Sequence, residues 1–301
     1  MPHLHCNSHN HLANHATFAA VCTAIILVTT KTFAWWFSGS LTIQASLLDS
    51  SSDLLSSMIN FFAVRYARKP ANEEYRFGYG KAEALAGFLQ SILIIASTFW
   101  MVWHAYQHHQ MLEKISHHKL ALLVMAISTI LTLCLVIFQL YTIKRTNSIA
   151  VKADFLHYQA DLLSNVAAII ALLAMSWFEI GWIDTVFGVG IAIFLLYGSI
   201  AILKQSFNIL MDKELPKAIR QKIIQIIQSH TKVVDVHELR TRSAGHIDFI
   251  QLHITLDPSL SLKEAHVIGD EVEQTLQNSY PQSEILIHLD PEGYHPKVTE
   301  S

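Results

Sequence analysis

Six apolar runs, each long enough to cross a lipid bilayer, dictate what this chain can become: residues 18–37, 41–66, 82–104, 120–143, 149–178 and 183–203. A spanning helix needs roughly 20 mostly apolar residues, and only a helix satisfies its own backbone in lipid. Over 301 residues, 51% are hydrophobic and 15% charged, well short of the about 25% charged in soluble domains. A six-helix transmembrane bundle is therefore predicted. A formal charge of −3 speaks against nucleic acid as a partner, since phosphates call for basic patches. Cys6, Cys22 and Cys134 show no paired spacing, and two fall in apolar runs. Neither a disulfide framework nor a thiolate zinc site is expected. The N-terminus lacks the basic region of a cleaved signal peptide.

Basic residues in the short loops set the expected orientation. Arg65, Arg68, Lys69, Arg76 and Lys81 lie between spans two and three, and Lys144, Arg145 and Lys152 between four and five. The opposite loops carry few. Both termini are thus expected in the cytoplasm. Trp35, Trp36, Trp177 and Trp182 fall at span ends, where aromatic rings bridge lipid and water.

After Lys204 the pattern becomes that of a small soluble domain. Pro216 opens a helix with Ile219, Ile223 and Ile226 on one stripe. Strands are predicted near 233–241 and over 247–256, the second placing Ile250, Leu252, Ile254 and Leu256 on one face. Ser261 and Glu264 form a capping-box signature for a second helix, and a last strand runs over 284–290. This α-β-β-α-β order fits an α+β domain with helices on one face of its sheet. The expected division is a His-rich tail (1–16), a transmembrane domain (17–208), a cytoplasmic domain (209–292) and a C-terminal tail (293–301).

The strongest chemical signal is buried charge. Span two holds Asp49 and Asp53, span five His157 and Asp161, each pair spaced i,i+4 on one helix face. Each Asp at a helix centre costs about 2.5–3.5 kcal/mol on insertion scales, which calls for a ligand or proton in compensation. Three carboxylates and an imidazole suit a tetrahedral zinc ion. The rival reading is helix glue, with the carboxylates bonded to Ser51, Ser52 or Gln159. Asp154, on a similar face, is expected to pair with Lys152 or Arg145. Four protein ligands leave no open position for a catalytic water, so a metalloenzyme is not expected. A membrane-bound metal sensor without net flux is the alternative to a transporter, though a sensor needs no ligands at the membrane midplane.

Five stretches resemble the cation diffusion facilitator family, in particular its bacterial zinc and ferrous-iron efflux branch: Phe33–Ser40, Ser46–Ser50, Phe77–Glu83, Asp154–Asp161 and His237–Arg242. The resemblance implies a homodimer of six-span protomers in the bacterial inner membrane, exporting zinc, with cadmium or ferrous iron as further candidate cargo, in exchange for protons. It implies a cytoplasmic domain of ferredoxin-like topology. It also implies that Asp49, Asp53, His157 and Asp161 form the transport site. A regulatory two-zinc cluster would comprise His237, His253, His266, His288 and Asp290, with Asp290 as bridge. Lys81 would pair with Asp212 across the two protomers. His230 and His246 have no counterpart in that pattern. Where bacterial members often bind zinc between spans two and three, this chain has Asn72, Tyr75 and Tyr79, a poor ligand set, and no metal is expected there. The tail histidines His3, His5, His9, His11 and His15 could collect metal or simply be solvated. The same choice applies to His108, His109, His117 and His118 in the loop after span three.

Overall fold

The computed structural model describes residues 7–38, 41–107, 118–178, 183–245 and 247–293. The chain divides into two compact units, Met1–Phe207 and Asn208–Ser301. The first holds six long helices: α1 (Asn7–Ser38), α2 (Leu41–Ala67), α3 (Lys81–Gln107), α4 (His118–Thr146), α5 (Ile149–Phe178) and α6 (Ile183–Leu210), the last running on into the second unit. Within them Leu12–Phe37, Lys81–Trp100, Ala126–Thr146 and Val186–Leu210 are long and apolar enough to cross a membrane. The other two, α2 and α5, carry the candidate ligands. Helix α1 starts well before the first predicted span, so residues 7–16 of the expected tail are helical. His3, His5, His108, His109, His117, His246 and the tail from residue 294 lie outside the described residues.

Helix α1 packs on α2 and α4, and α5 packs on α2, α3 and α4. Small side chains allow these approaches, as expected where lipid supplies no hydrophobic drive between helices. Ala13 and Ala16 of α1 are wholly buried with Val64, Ala150 and Val151. Gly198 of α6 faces Leu156 so closely that a Cβ there would lie 2.7 Å from Leu156 Cδ1.

In the second unit, α7 (Lys217–Gln228), β1 (Asp235–Ala244), β2 (Ile247–Leu256), α8 (Leu262–Ser279) and β3 (Ser283–Pro291) follow the expected order. The sheet order is β1-β2-β3, with β1 antiparallel and β3 parallel to β2. Ile250, Leu252, Ile254 and Leu256 point to one face, where Ile223 and Ile227 of α7 and Ile268, Val272 and Leu276 of α8 complete the core. The capping box forms: the Ser261 hydroxyl accepts from the Glu264 N–H, and the Glu264 carboxylate accepts from the Ser261 N–H. Strand β1 starts later than predicted and bulges between His237 and Arg240. Glu238 takes φ 47° there, a conformation that the residue types do not announce.

Candidate metal centres

The first centre grows from two helix stripes. On α2, Ser50, Asp53, Ser57, Asn60 and Val64 recur at helical spacing and are all buried. That stripe turns Asp53 inward. From α5, the i,i+4 pair His157 and Asp161 meets it. His157 Nε2 lies 2.6 Å from Asp53 Oδ1 and 3.8 Å from Asp161 Oδ2. One donor atom from each of the three falls within 4.8 Å of the others. Ligands about 2 Å from one tetrahedral ion stand roughly 3.3 Å apart, so a cation would need Asp53 and His157 to open slightly and Asp161 to move in. Asp49 lies one turn along α2, exposed on the helix surface, and is not part of this tight group.

One neighbour of the site was not foreseen, and a second is bonded otherwise than expected. Lys31 of α1 is buried, and its ammonium donates to the Ser46 carbonyl at 3.1 Å and the Ser50 hydroxyl at 2.6 Å. A lone lysine within an apolar run was the available signal. Asp154 does not pair with Lys152 or Arg145. It is wholly buried and accepts from Ser57, Asn60 and Gln139, while Arg145 stacks over the Tyr141 ring. Neutral donors on neighbouring helices reach it before any cation does.

The second centre is a row across the sheet. Register places His237 opposite His253, and His253 beside His288, all on the face away from the core. Asp290 follows two residues after His288 and joins that face. Its Oδ2 lies 2.8 Å from His253 Nδ1 and 3.3 Å from His237 Nε2, and its Oδ1 lies 3.3 Å from His288 Nε2. One carboxylate thus touches three imidazoles through both oxygens, as a bridging ligand would. Burial disfavours its charge, but the His253 hydrogen bond and the charges of His288, His253 and His237 outweigh that and hold the Asp290 carboxyl below its ordinary range. Glu238, also unforeseen, brings its carboxylate to 3.9 Å from His253 Nε2. His266 stands apart on α8, exposed and 3.7 Å from Asp270. His230 pairs with Glu271 at 3.0 Å.

The loop after α2 is held by its own side chains. Asn72 Nδ2 donates to the Tyr79 hydroxyl at 2.9 Å, and Asn72 Oδ1 accepts from the Tyr75 N–H at 2.7 Å. The Tyr79 ring packs between Tyr75 and Tyr66, with centroids 4.6 and 4.7 Å away. Asp212 sits 3.4 Å from Arg242 Nη1, and Lys81 opens α3.

Residues 17–211 match the cation efflux transmembrane domain, and residues 215–292 the cytoplasmic domain of cation efflux proteins. The chain is 41% identical over 286 residues to the cation-efflux pump FieF of Yersinia enterocolitica, covering 95% of each chain. It is 40% identical over 282 residues to FieF of Yersinia pestis, covering 94% of each. The metal-bound C-terminal domain of the CzcD transporter from Thermotoga maritima shares 23% identity and a TM-score of 0.25, covering 27% of this chain and 98% of that one. With both family domains in order along nearly its whole length, the chain belongs to the cation diffusion facilitator family and is an integral membrane cation-efflux transporter, not an enzyme.

Proposed function

We propose that this protein exports divalent metal, chiefly zinc, from the cytoplasm in exchange for protons. The observation that carries this reading is the convergence of Asp53, His157 and Asp161 from two helices. A mixed oxygen and nitrogen set without sulfur favours zinc over softer ions. Asp49, one turn away on α2, completes a four-ligand set when the helices shift. Alternating access then follows: α2 and α5 rock about the site, the ligands give up protons to bind metal on one side, and they recover protons to release it on the other. Proton coupling needs no separate relay, because metal and protons compete for the same atoms.

All six long helices span the bacterial inner membrane, with both termini in the cytoplasm. The chain works as a homodimer, with Lys81 meeting Asp212 across the protomers. His237, His253, His288 and Asp290, with His266, hold two regulatory zinc ions in the cytoplasmic domain; bound metal there offsets the clustered acidic and imidazole ligands.

The test is flux in proteoliposomes, with a panel of divalent metals and an imposed pH gradient. Zinc should move against protons, and Asp53→Ala or Asp161→Ala should abolish flux in a protein that still forms its dimer. Wild-type rates from either variant would sink the site assignment. Zinc binding without any flux would favour a sensor.

A further inference from the structure

The polar network one helical turn from the transport site has no place in the mechanism so far. Its centre is Asp154 of α5, wholly buried. Oδ1 accepts from Ser57 Oγ at 3.3 Å and Asn60 Nδ2 at 3.2 Å, and Oδ2 from Gln139 Nε2 at 2.7 Å. Asn60 Nδ2 also donates to Gln90 Oε1 at 2.6 Å, and Ser57 Oγ lies 2.9 Å from the Tyr158 hydroxyl. The network therefore ties α2, α3, α4 and α5 together. Among the described residues, no cation lies within ion-pair distance of Asp154.

Such a network is costly. A carboxylate in a helix bundle costs several kcal/mol without a charged partner, by roughly the 2.5–3.5 kcal/mol of insertion scales or more. Gln90 Nε2 and Gln139 Oε1 are buried and have no hydrogen-bond partner among the described residues, and a partly satisfied polar network is less stable than apolar packing. Stability alone does not explain it. Position does. Ser57 is one turn after Asp53 on α2, and Asp154 is one turn before His157 on α5. The same two helices are thus joined twice: at Asp53–His157, and again at Ser57 and Asn60 with Asp154. One contact leaves a helix pair free to roll about it; two contacts a turn apart fix both roll and register.

We propose that Asp154 is a positioning residue for the membrane metal site: its buried carboxylate clamps α2 to α5 and so sets the separation of Asp53 from His157 and Asp161. This inference rests on reading those three as metal ligands.

A geometric role and a charge role separate by substitution. In Asp154→Asn the side-chain oxygen keeps its Ser57 and Asn60 donors. The new amide can donate to Gln139 Oε1 once the Gln139 amide turns over, and that oxygen is unpartnered now. The clamp survives without its charge. In Asp154→Ala it is lost. Zinc flux by the full-length protein in proteoliposomes, as a function of zinc concentration, is the readout. Asp154→Ala should raise the half-saturating zinc concentration by about 10–100-fold, as loss of outer supports does at metal sites, with a smaller effect on the maximal rate. Asp154→Asn should stay close to wild type. An unchanged half-saturation in Asp154→Ala would overturn the proposal, and so would an equal shift in Asp154→Asn. If Asp154→Ala yields no dimer, Ser57→Ala and Asn60→Ala each withdraw one donor and should shift half-saturation the same way; wild-type values from both would overturn it. Asp53→Ala run alongside keeps the two readings apart, because its wild-type flux would remove the metal site itself, whatever Asp154 does.

Discussion

His157 Nε2 stands 2.6 Å from Asp53 Oδ1 on α2 and 3.8 Å from Asp161 Oδ2 on its own helix, so a single imidazole bridges the acidic residues of the two helices. It is also the only nitrogen donor in this group of three. Replacing it with Asp makes the group all-oxygen, which suits harder cations such as manganese. His157→Asp should lower the ratio of zinc to manganese uptake in vesicles. An unchanged ratio would mean that His157 does not choose the metal.

The loop between α2 and α3 should take no metal. Both polar groups of Asn72 are already engaged, by Tyr79 and by the Tyr75 backbone, and the Tyr79 ring is packed on both sides. A phenol with an ordinary pKa near 10 is a weak zinc ligand. Crystals grown with zinc should give anomalous peaks at the membrane centre and the cytoplasmic row. A strong peak beside Tyr75 or Tyr79 would refute this.

What the sequence reveals about these sites depends on how local the geometry is. The pairing of Asp49 with Asp53, or of His157 with Asp161, follows from helical spacing alone. The face of His253 follows from strand alternation, because Leu252 and Ile254 need the core. Asp154 is different. Its partners Asn60 and Gln139 lie on other helices, and only the way α2, α4 and α5 pack decides that they reach it before Arg145 can. Glu238 was hidden by a bulge, and Lys31 by an apolar run whose contacts lie on the next helix. Asp49 shows the reverse: its spacing suits the site, yet the described arrangement turns it to the helix surface.

Two glycines should respond differently to an added methyl. At Gly87 a Cβ would lie 2.6 Å from Ile149 Cγ2 and 3.0 Å from Ser206 Oγ. A β-branched side chain has little room to rotate away. Gly87→Ala should therefore destabilise the protein by about 1–3 kcal/mol, as overpacking does. At Gly198 a Cβ would lie 2.7 and 2.9 Å from the two methyls of Leu156 and 3.4 Å from its Cγ, on a side chain that is not β-branched and can change rotamer. Gly198→Ala should cost less stability but disturb transport, because Leu156 immediately precedes His157. Heat challenge followed by size exclusion compares the stabilities. Equal survival of Gly87→Ala and wild type would show that this contact relaxes freely.

Asp290 should control how the cytoplasmic unit answers both acid and zinc. Its carboxyl is held below the ordinary carboxylate range when folded. The stabilisation it gives is thus fully present above the unfolded pKa, near 4, and is lost as pH falls through the lowered folded value. Without metal, Asp290→Ala should leave a fragment from Asn208 onward with less acid sensitivity in that window. Zinc acts at higher pH. It must displace protons from the imidazoles, so its stabilising effect should shrink as the solution is acidified from neutral. At about a hundred times its dissociation constant, a ligand of the folded state alone adds about 2.7 kcal/mol. For a domain of this size that is a rise of roughly 10 °C or more in melting temperature. Asp290→Ala should cut that rise sharply, because two cations would lose the carboxylate between them. In the full-length protein the same change should slow zinc flux without abolishing it, since Asp53, His157 and Asp161 remain. The measurements are melting curves of the fragment across zinc concentration and pH, beside vesicle flux of the full-length variant. If zinc leaves the wild-type fragment unchanged at neutral pH, the histidine row binds no metal. If Asp290→Ala stops flux entirely, the row lies on the path of the ion, and its role is conduction, not control.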